Sequence, residues 1–167
     1  MRNKKKFAVV YCNGGSRAKK KDVAQGFIEG TLECEAGCPG DGKCVDACKF
    51  GAIEINSIGV AEVNKEKCIG CGVCVKVCPK SLIRLVPVDT TIVPKCNNCD
   101  NAAEARKVCE VSCIACRICE RNCPVNAISM LDNHAVIDSE VCISCGMCAM
   151  KCPRGTIIDL DGIFTQS

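Results

Sequence analysis

Aromatic side chains are scarce in this sequence, which has no tryptophan, one tyrosine and four phenylalanines among 167 residues. A chain of this length normally fills its core with more aromatic volume. Something other than large side chains must therefore occupy much of the interior. The sequence also has a single histidine, His134, which we expect to be an exposed residue of a hairpin turn.

Long apolar runs are missing as well, since none approaches the roughly 20 residues of a membrane helix. The apolar run near the start of the chain, Phe7 to Tyr11, is too short for the hydrophobic core of a signal peptide. No Gly-rich dinucleotide fingerprint or flavin motif is present. We therefore predict a chain without catalysis or membrane insertion of its own, located in the cytoplasm or peripheral to a membrane complex.

Cysteine is abundant instead, at 20 residues. The organising stretch is Cys113-Ile-Ala-Cys116-Arg-Ile-Cys119-Glu-Arg-Asn-Cys123-Pro124, which reads C-x2-C-x2-C-x3-C-P. In bacterial ferredoxins this spacing holds one [4Fe–4S] cluster with three thiolates, while the fourth thiolate reaches a neighbouring cluster. A disulfide scaffold fits less well, because thiols so close on a tight turn suit a shared metal centre better than each other.

The organising stretch is part of an internal repeat. Cys119 lies 75 residues after Cys44, and Cys148 lies 74 residues after Cys74. The repeat predicts an α+β fold built from tandem two-cluster ferredoxin units, each with an upstream strand-and-cysteine segment. The predicted boundaries are an N-terminal strand and loop over residues 1–33, a first unit over 34–88, a connector with extra cysteines over 89–112 and a second unit over 113–167.

Local patterns predict strands near residues 7–12, 81–86, 90–93 and 156–160. Two hairpins are expected, one joining 52–55 to 60–63 and the other joining 127–130 to 135–138. A helix is predicted over 102–108. Residues 18–29 are either a helix or an irregular loop, because Gly26 and Gly30 weaken the helical pattern.

The exchanged-ligand spacing assigns three complete sets of thiols to three [4Fe–4S] clusters. These sets are Cys48 with Cys68, Cys71 and Cys74; Cys152 with Cys113, Cys116 and Cys119; and Cys123 with Cys142, Cys145 and Cys148.

A fourth cluster has only three regularly spaced thiols, Cys38, Cys44 and Cys78. Asp41 stands where the middle cysteine would be, but a carboxylate is a harder donor than a thiolate. Cys34, four residues upstream of Cys38, is the alternative, and the softer donor favours it.

Four cysteines remain, and a fifth [4Fe–4S] cluster would use all of them. They are Cys12, Cys96, Cys99 and Cys109. Cys12 and Cys96 each follow a short apolar run at matching places in the two repeats. A zinc site or metal-free thiols are the alternatives.

Several stretches together resemble the B subunit of the Rnf complex in its long, cysteine-rich form, over residues 7–160. The stretches are Cys12-Asn-Gly-Gly15, Cys34-x3-Cys38-x5-Cys44-x3-Cys48-Lys-Phe-Gly-Ala-Ile, Cys68-Ile-Gly-Cys71-Gly and Cys96…Cys109-x3-Cys113-Ile-Ala-Cys116. We expect this chain to lack the N-terminal membrane helix and the first iron–sulfur domain of that family. A family cysteine that precedes Cys34 is absent from this sequence, and we expect Cys99 to substitute for it. We expect a soluble subunit of another oxidoreductase or an excised domain.

The predicted function is multi-cluster electron transfer at low potential. The resemblance implies a flavoprotein or NAD(P)H-linked oxidoreductase as partner, or a soluble ferredoxin. The alternative is an iron–sulfur sensing or cluster-storage protein. Nucleic-acid binding is not expected, because five clusters of about −2 each would change the formal charge from +3 to roughly −7.

Overall fold

Short strands alternate with helices of one or two turns in the computed structural model, which describes residues 5–14 and 34–164. The predicted segment 18–29 lies outside the described residues. In chain order the elements are β1 (Lys6–Val10), α1 (Lys43–Asp46), β2 (Ile53–Ile55), β3 (Ala61–Val63), α2 (Val73–Val77), β4 (Ile83–Pro87), β5 (Ile92–Pro94), α3 (Ala102–Val108), α4 (Ile118–Arg121), β6 (Ile128–Leu131), β7 (His134–Ile137), α5 (Met147–Lys151) and β8 (Ile157–Asp159).

The strands form two matching sets. From here on, each unit includes the strand-and-cysteine segment that precedes it. In the first unit β1 pairs antiparallel with β4, and β2 and β3 form a hairpin. In the second unit β5 pairs antiparallel with β8, and β6 and β7 form a hairpin. Each unit is thus closed by pairing between its first and last strands, and the predicted α+β ferredoxin repeat is confirmed.

Strand β1 is buried on both faces and joins two cores. Its side chains alternate, as the period of a strand requires. Ala8 and Val10 belong to the core of the first unit, which also includes Cys38, Cys44 and Cys74. The opposite face packs the first unit against the second, through Phe7, Val9, Tyr11, Val86, Val93, Ile158 and Leu160.

The loop before α2 needs two residues in the left-handed region. Gly70 and Gly72, on either side of Cys71, have φ of 71° and 77°. A β-carbon on Gly70 would collide with the carbonyl oxygen of Lys6 in β1. The absence of a side chain at Gly70 therefore lets this loop lie directly against the first strand.

Within residues 5–14 and 34–164, no helix has both the length and the apolar character needed to cross a membrane.

Replacing Gly70 with alanine should destabilise the first unit more than the same change at Gly51. Both residues have positive φ, but the β-carbon at Gly51 would meet nothing within 4 Å. We expect Gly51→Ala to cost about 1 kcal/mol through its backbone alone, and Gly70→Ala at least about twice that. Thermal unfolding followed by circular dichroism measures the difference, and equal melting temperatures would contradict the close contact with Lys6.

Candidate cluster-binding sites

Three cavities are each lined by four thiols, and each quartet is one of the complete sets expected from the sequence. They are Cys48, Cys68, Cys71 and Cys74; Cys113, Cys116, Cys119 and Cys152; and Cys123, Cys142, Cys145 and Cys148. The backbone explains why the four thiols of each set meet. On each side of the middle cysteine a residue has positive φ, and these two residues bend the loop around the cavity. The third cysteine of each motif lies in the first turn of a short helix and is buried.

The fourth cysteine of every motif accepts a hydrogen bond from the backbone N–H four residues later. The N-to-Sγ distances are 3.4 Å for Ala52 to Cys48, 3.3 Å for Leu82 to Cys78, 3.2 Å for Ala127 to Cys123 and 3.4 Å for Thr156 to Cys152. These N–H groups stabilise negative charge on the sulfur, as donors to metal-bound thiolates do. The geometry fits the ligand role that the spacing predicts.

A further cavity draws thiols from both units. Cys12 and Cys34 line it from the first unit, and Cys96 and Cys109 line it from the second. Cys12 and Cys96 each lie two residues beyond a strand, β1 and β5 respectively. We call this set the central site.

The central site has matching hydrogen bonds on its two sides. Cys12 Sγ accepts from the N–H groups of Gly14 and Cys38, both at 3.3 Å. Cys96 Sγ accepts from the N–H groups of Asn98 and Cys113, at 3.5 and 3.4 Å. The two repeats therefore contribute equivalent residues to one shared site.

The structure groups two cysteines differently from the expectation. Cys34, which the sequence favoured for the cluster of Cys38, lies in the central site. Cys99, which had been placed with Cys96 and Cys109, is exposed and is not part of this lining. The physical reason is the repeat, because Cys34 precedes Cys38 by four residues just as Cys109 precedes Cys113.

His134 is buried, so the expectation of an exposed turn residue is wrong. It begins β7 and is 5% exposed. Its Nδ1 lies 4.0 Å from Cys99 Sγ and 3.2 Å from the carbonyl oxygen of Asp132. The loop that carries Cys99 covers the β6–β7 turn, where the Asn133 amide also donates to the Cys99 carbonyl at 2.9 Å.

The central thiols are electrostatically unsuited to remain together as free thiolates. Burial, with smaller contributions from the neighbouring Cys109, Cys96 and Cys12, raises the pKa of Cys34 to about 12. Burial likewise raises the pKa of Cys96 to about 11. Four thiolates would repel one another here, so the thiols keep their protons unless a cationic centre replaces them.

The central site fits a [4Fe–4S] cluster better than a zinc ion. Its cavity of about 350 Å³ is close to the 330, 330 and 290 Å³ of the three ferredoxin quartets. Among residues 5–14 and 34–164, no three Cys, His, Asp or Glu side chains converge tightly enough for a single metal ion. Zinc–sulfur bonds of about 2.3 Å require such tight convergence.

Asn98 supplies a second test of that fit. The residue lines the central cavity and is 2% exposed, yet its Nδ2 has no hydrogen-bond partner among the residues that the structure describes. Its Oδ1 is already engaged by the N–H of Asp100 at 2.8 Å. A buried donor of this kind requires an acceptor, and the sulfur of a cluster would provide one.

The remaining site has three thiols. The buried Cys44 lies near Cys38 and Cys78, whose charges raise its pKa in addition to the larger effect of burial. Asp41 stands in the loop between Cys38 and Cys44, at the place of the middle cysteine.

Family comparisons agree with this geometry. Residues 112–156 match the 4Fe-4S dicluster domain, and residues 61–84 match the 4Fe-4S binding domain. Together with the thiol quartets, these matches define the class: the chain is a ferredoxin-type iron–sulfur electron-transfer protein that binds [4Fe–4S] clusters.

The resemblance to the B subunit of the Rnf complex is confirmed. The chain is 42% identical over 144 residues to the B subunit of the Na⁺-translocating ferredoxin:NAD⁺ oxidoreductase complex of Acetobacterium woodii, covering 80% of this chain and 43% of that protein. It is 40% identical over 120 residues to the B subunit of the proton-translocating ferredoxin:NAD⁺ oxidoreductase complex of Clostridium ljungdahlii, covering 71% of this chain and 42% of that protein. The chain spans less than half the length of these relatives.

A polyferredoxin-like protein is similar as well. The polyferredoxin-like subunit of an aliphatic sulfonate oxidoreductase of Pyrococcus furiosus is 37% identical over 73 residues. This match covers 43% of this chain and 41% of that protein.

Cys99 should be the cysteine that iodoacetamide modifies first in the cluster-loaded protein under anaerobic conditions. It is exposed and outside all four cavities, whereas metal-bound thiolates are protected from alkylation. Peptide mapping by mass spectrometry identifies the modified residue, and Cys99→Ser provides the control. Protection of Cys99 equal to that of Cys96 would contradict its place outside the central site.

Proposed function

We propose that this chain relays single electrons along a row of five [4Fe–4S] clusters from one partner protein to another. The observation that carries the proposal is the central site, because its thiols come in equal numbers from both ferredoxin units. A [4Fe–4S] cluster supplies reversible one-electron transfer at low potential. The chain's own residues hold the clusters, shield them and set their order.

Four thiol-lined cavities support four of the proposed ligand sets. The three ferredoxin quartets hold one cluster each, and the central site holds another. The last cluster uses Cys38, Cys44 and Cys78. The row then begins at the cluster of Cys71, passes the cluster of Cys44, the central site and the cluster of Cys116, and ends at the cluster of Cys145.

Contacts between neighbouring sites support this order. The backbone N–H of Cys38, itself a ligand of the second cluster in the row, donates to Cys12 of the central site. On the other side, the N–H of Cys113 donates to Cys96. Within each unit a single short helix carries ligands of both clusters, as Cys74 and Cys78 do at α2. No cluster in the row is separated from the next by an intervening domain.

The two ends of the row face solvent. Cys71 and Cys145 are exposed, while Cys12 and Cys109 of the central site are buried. Ile69 and Ile143, at equivalent positions of the two motifs, are each 61% exposed. Exposed apolar side chains beside an exposed ligand suit transient docking of an electron-transfer partner. Electrons therefore enter the row at one of these two terminal clusters and leave it at the other.

The partners belong to the same proposal. Relatives are named as subunits of ferredoxin:NAD⁺ oxidoreductase complexes, so a flavoprotein or NAD(P)H-linked subunit fits one end and a soluble ferredoxin the other. A flavin in the partner would divide the two electrons of a hydride into single electrons. The chain alone should accept electrons from dithionite or reduced ferredoxin without oxidising NADH.

Replacing Cys34 or Cys109 with serine should remove the central cluster and interrupt the row. The intact protein should contain about 20 iron and about 20 sulfide ions, and each variant should lose about four of both. Anaerobic iron and sulfide analysis tests the count, and stopped-flow reduction should show slower transfer between the units. Cys99→Ser is the matched control and should retain all iron.

Two outcomes would contradict the central cluster. One is an iron content near 16 in the unmodified protein, with or without one equivalent of zinc. The other is loss of iron in Cys99→Ser together with full retention in Cys34→Ser, which would restore the grouping that the sequence favoured.

A negative charge at either exposed isoleucine should weaken partner docking without changing the clusters. We expect Ile69→Glu or Ile143→Glu to slow reduction by a partner about tenfold or more at one end of the row, while reduction by dithionite stays unchanged. Ile58→Glu, in the β2–β3 turn and 36% exposed, is the control. Equal rates in all three variants would exclude these surfaces as the docking sites.

A further inference from the structure

The second cluster in the row has too few thiols. Four quartets use 16 of the 20 cysteines, and Cys38, Cys44 and Cys78 bring the number to 19. The one left is Cys99, which lies beside His134 in the second unit. A cubane cluster needs a fourth donor, and no thiol of this chain is left to supply it at Cys44.

The backbone places Asp41 where that donor is needed. In the loop from Cys68 to Cys74, the exposed ligand Cys71 stands between left-handed residues with φ of 71° and 77°. Asp41 stands between Gly40 and Gly42, whose φ values are 68° and 76°. The loop from Cys38 to Cys44 therefore has the conformation of a cluster-binding loop, with a carboxylate in place of the middle thiolate.

Packing around this loop supports the same conclusion. A β-carbon on Gly40 would collide with the carbonyl oxygen of Gly59, just as one on Gly70 would collide with that of Lys6. The next cysteine, Cys44, is buried in the first turn of α1, as Cys74 is in α2. Each loop is thus pressed against a neighbouring backbone segment, which holds its middle residue in position.

The contacts of the Asp41 carboxylate are weak. Among the described residues they are the Lys43 N–H, 3.4 Å from Oδ1, and the Lys43 ammonium, 3.2 Å from Oδ2. Asp41 and Lys43 side chains are 33% and 62% exposed. An ion pair this exposed adds little stability, so it does not compete seriously with iron.

We propose that Asp41 is the fourth ligand of this cluster, which makes one iron of the row exchangeable. The inference rests on the proposed function, since it presupposes that the thiols hold clusters. A carboxylate binds the iron of a cluster less strongly than a thiolate does. A one-electron oxidant should therefore release that iron, with [4Fe–4S]²⁺ giving [3Fe–4S]⁺, Fe²⁺ and one electron taken by the oxidant.

The test is mild oxidation of the anaerobically purified full chain with ferricyanide, followed by electron paramagnetic resonance. The unmodified protein should develop about one [3Fe–4S] spin per chain and regain [4Fe–4S] on addition of Fe²⁺ and dithionite. Asp41→Cys should reduce that spin at least about tenfold, because it completes a four-thiolate set. Asp41→Ala should show the spin before oxidation, and Asp46→Ala in α1 is the control.

The outcomes separate this inference from the proposed function. Full iron content without an oxidation-induced signal in the unmodified protein would overturn the carboxylate ligand. So would a signal that persists unchanged in Asp41→Cys. A protein that binds no iron under anaerobic conditions would instead overturn the proposed function itself.

Discussion

The bond between cysteine thiolate and iron is the interaction on which the rest of this structure depends. The cores of both units consist largely of aliphatic side chains and buried cysteines, such as Cys44 in the first and Cys148 in the second. Burial raises the pKa of such thiols, so without iron they are neutral groups around cavities. The scarcity of aromatic residues follows from this design, since clusters take the volume that rings occupy elsewhere.

Because the two units are repeats of each other, equivalent cysteines from both of them meet at one site. β1 pairs with β4 and β5 with β8, so each unit presents a cysteine just beyond its first strand. The faces of these sheets pack against each other through Phe7, Val9 and Val93. Cys12 and Cys96 consequently meet at the boundary between the units. A cluster bound at this site would couple the two ferredoxin units mechanically as well as electronically.

Local sequence spacing predicted most of the fold and three complete quartets. The hairpins and α3 were found within a residue or two, because turn residues and capping by Asn101 are local signals. The spacing C-x2-C-x2-C likewise specifies a loop conformation by itself. These features depend on chain segments of about a dozen residues, which a single sequence describes well.

The sequence was less informative where distant segments meet. Cys34 was assigned by its distance along the chain from Cys38, whereas in the structure it lines one cavity with Cys109 and Cys96. One feature of the sequence could have predicted this arrangement, because Cys34 and Cys109 occupy equivalent positions in the repeat. For His134 no such signal existed, because its burial depends on the loop of Cys99 folding over the β6–β7 turn.

The central claim is that one cluster bridges the two units, and anomalous X-ray scattering from an anaerobic crystal tests it most directly. Data collected on both sides of the iron and zinc absorption edges would locate each metal and identify it. We expect iron at five positions, with the middle one enclosed by Cys12, Cys34, Cys96 and Cys109. Iron at four positions, with the central cavity empty or holding zinc, would contradict the bridging cluster.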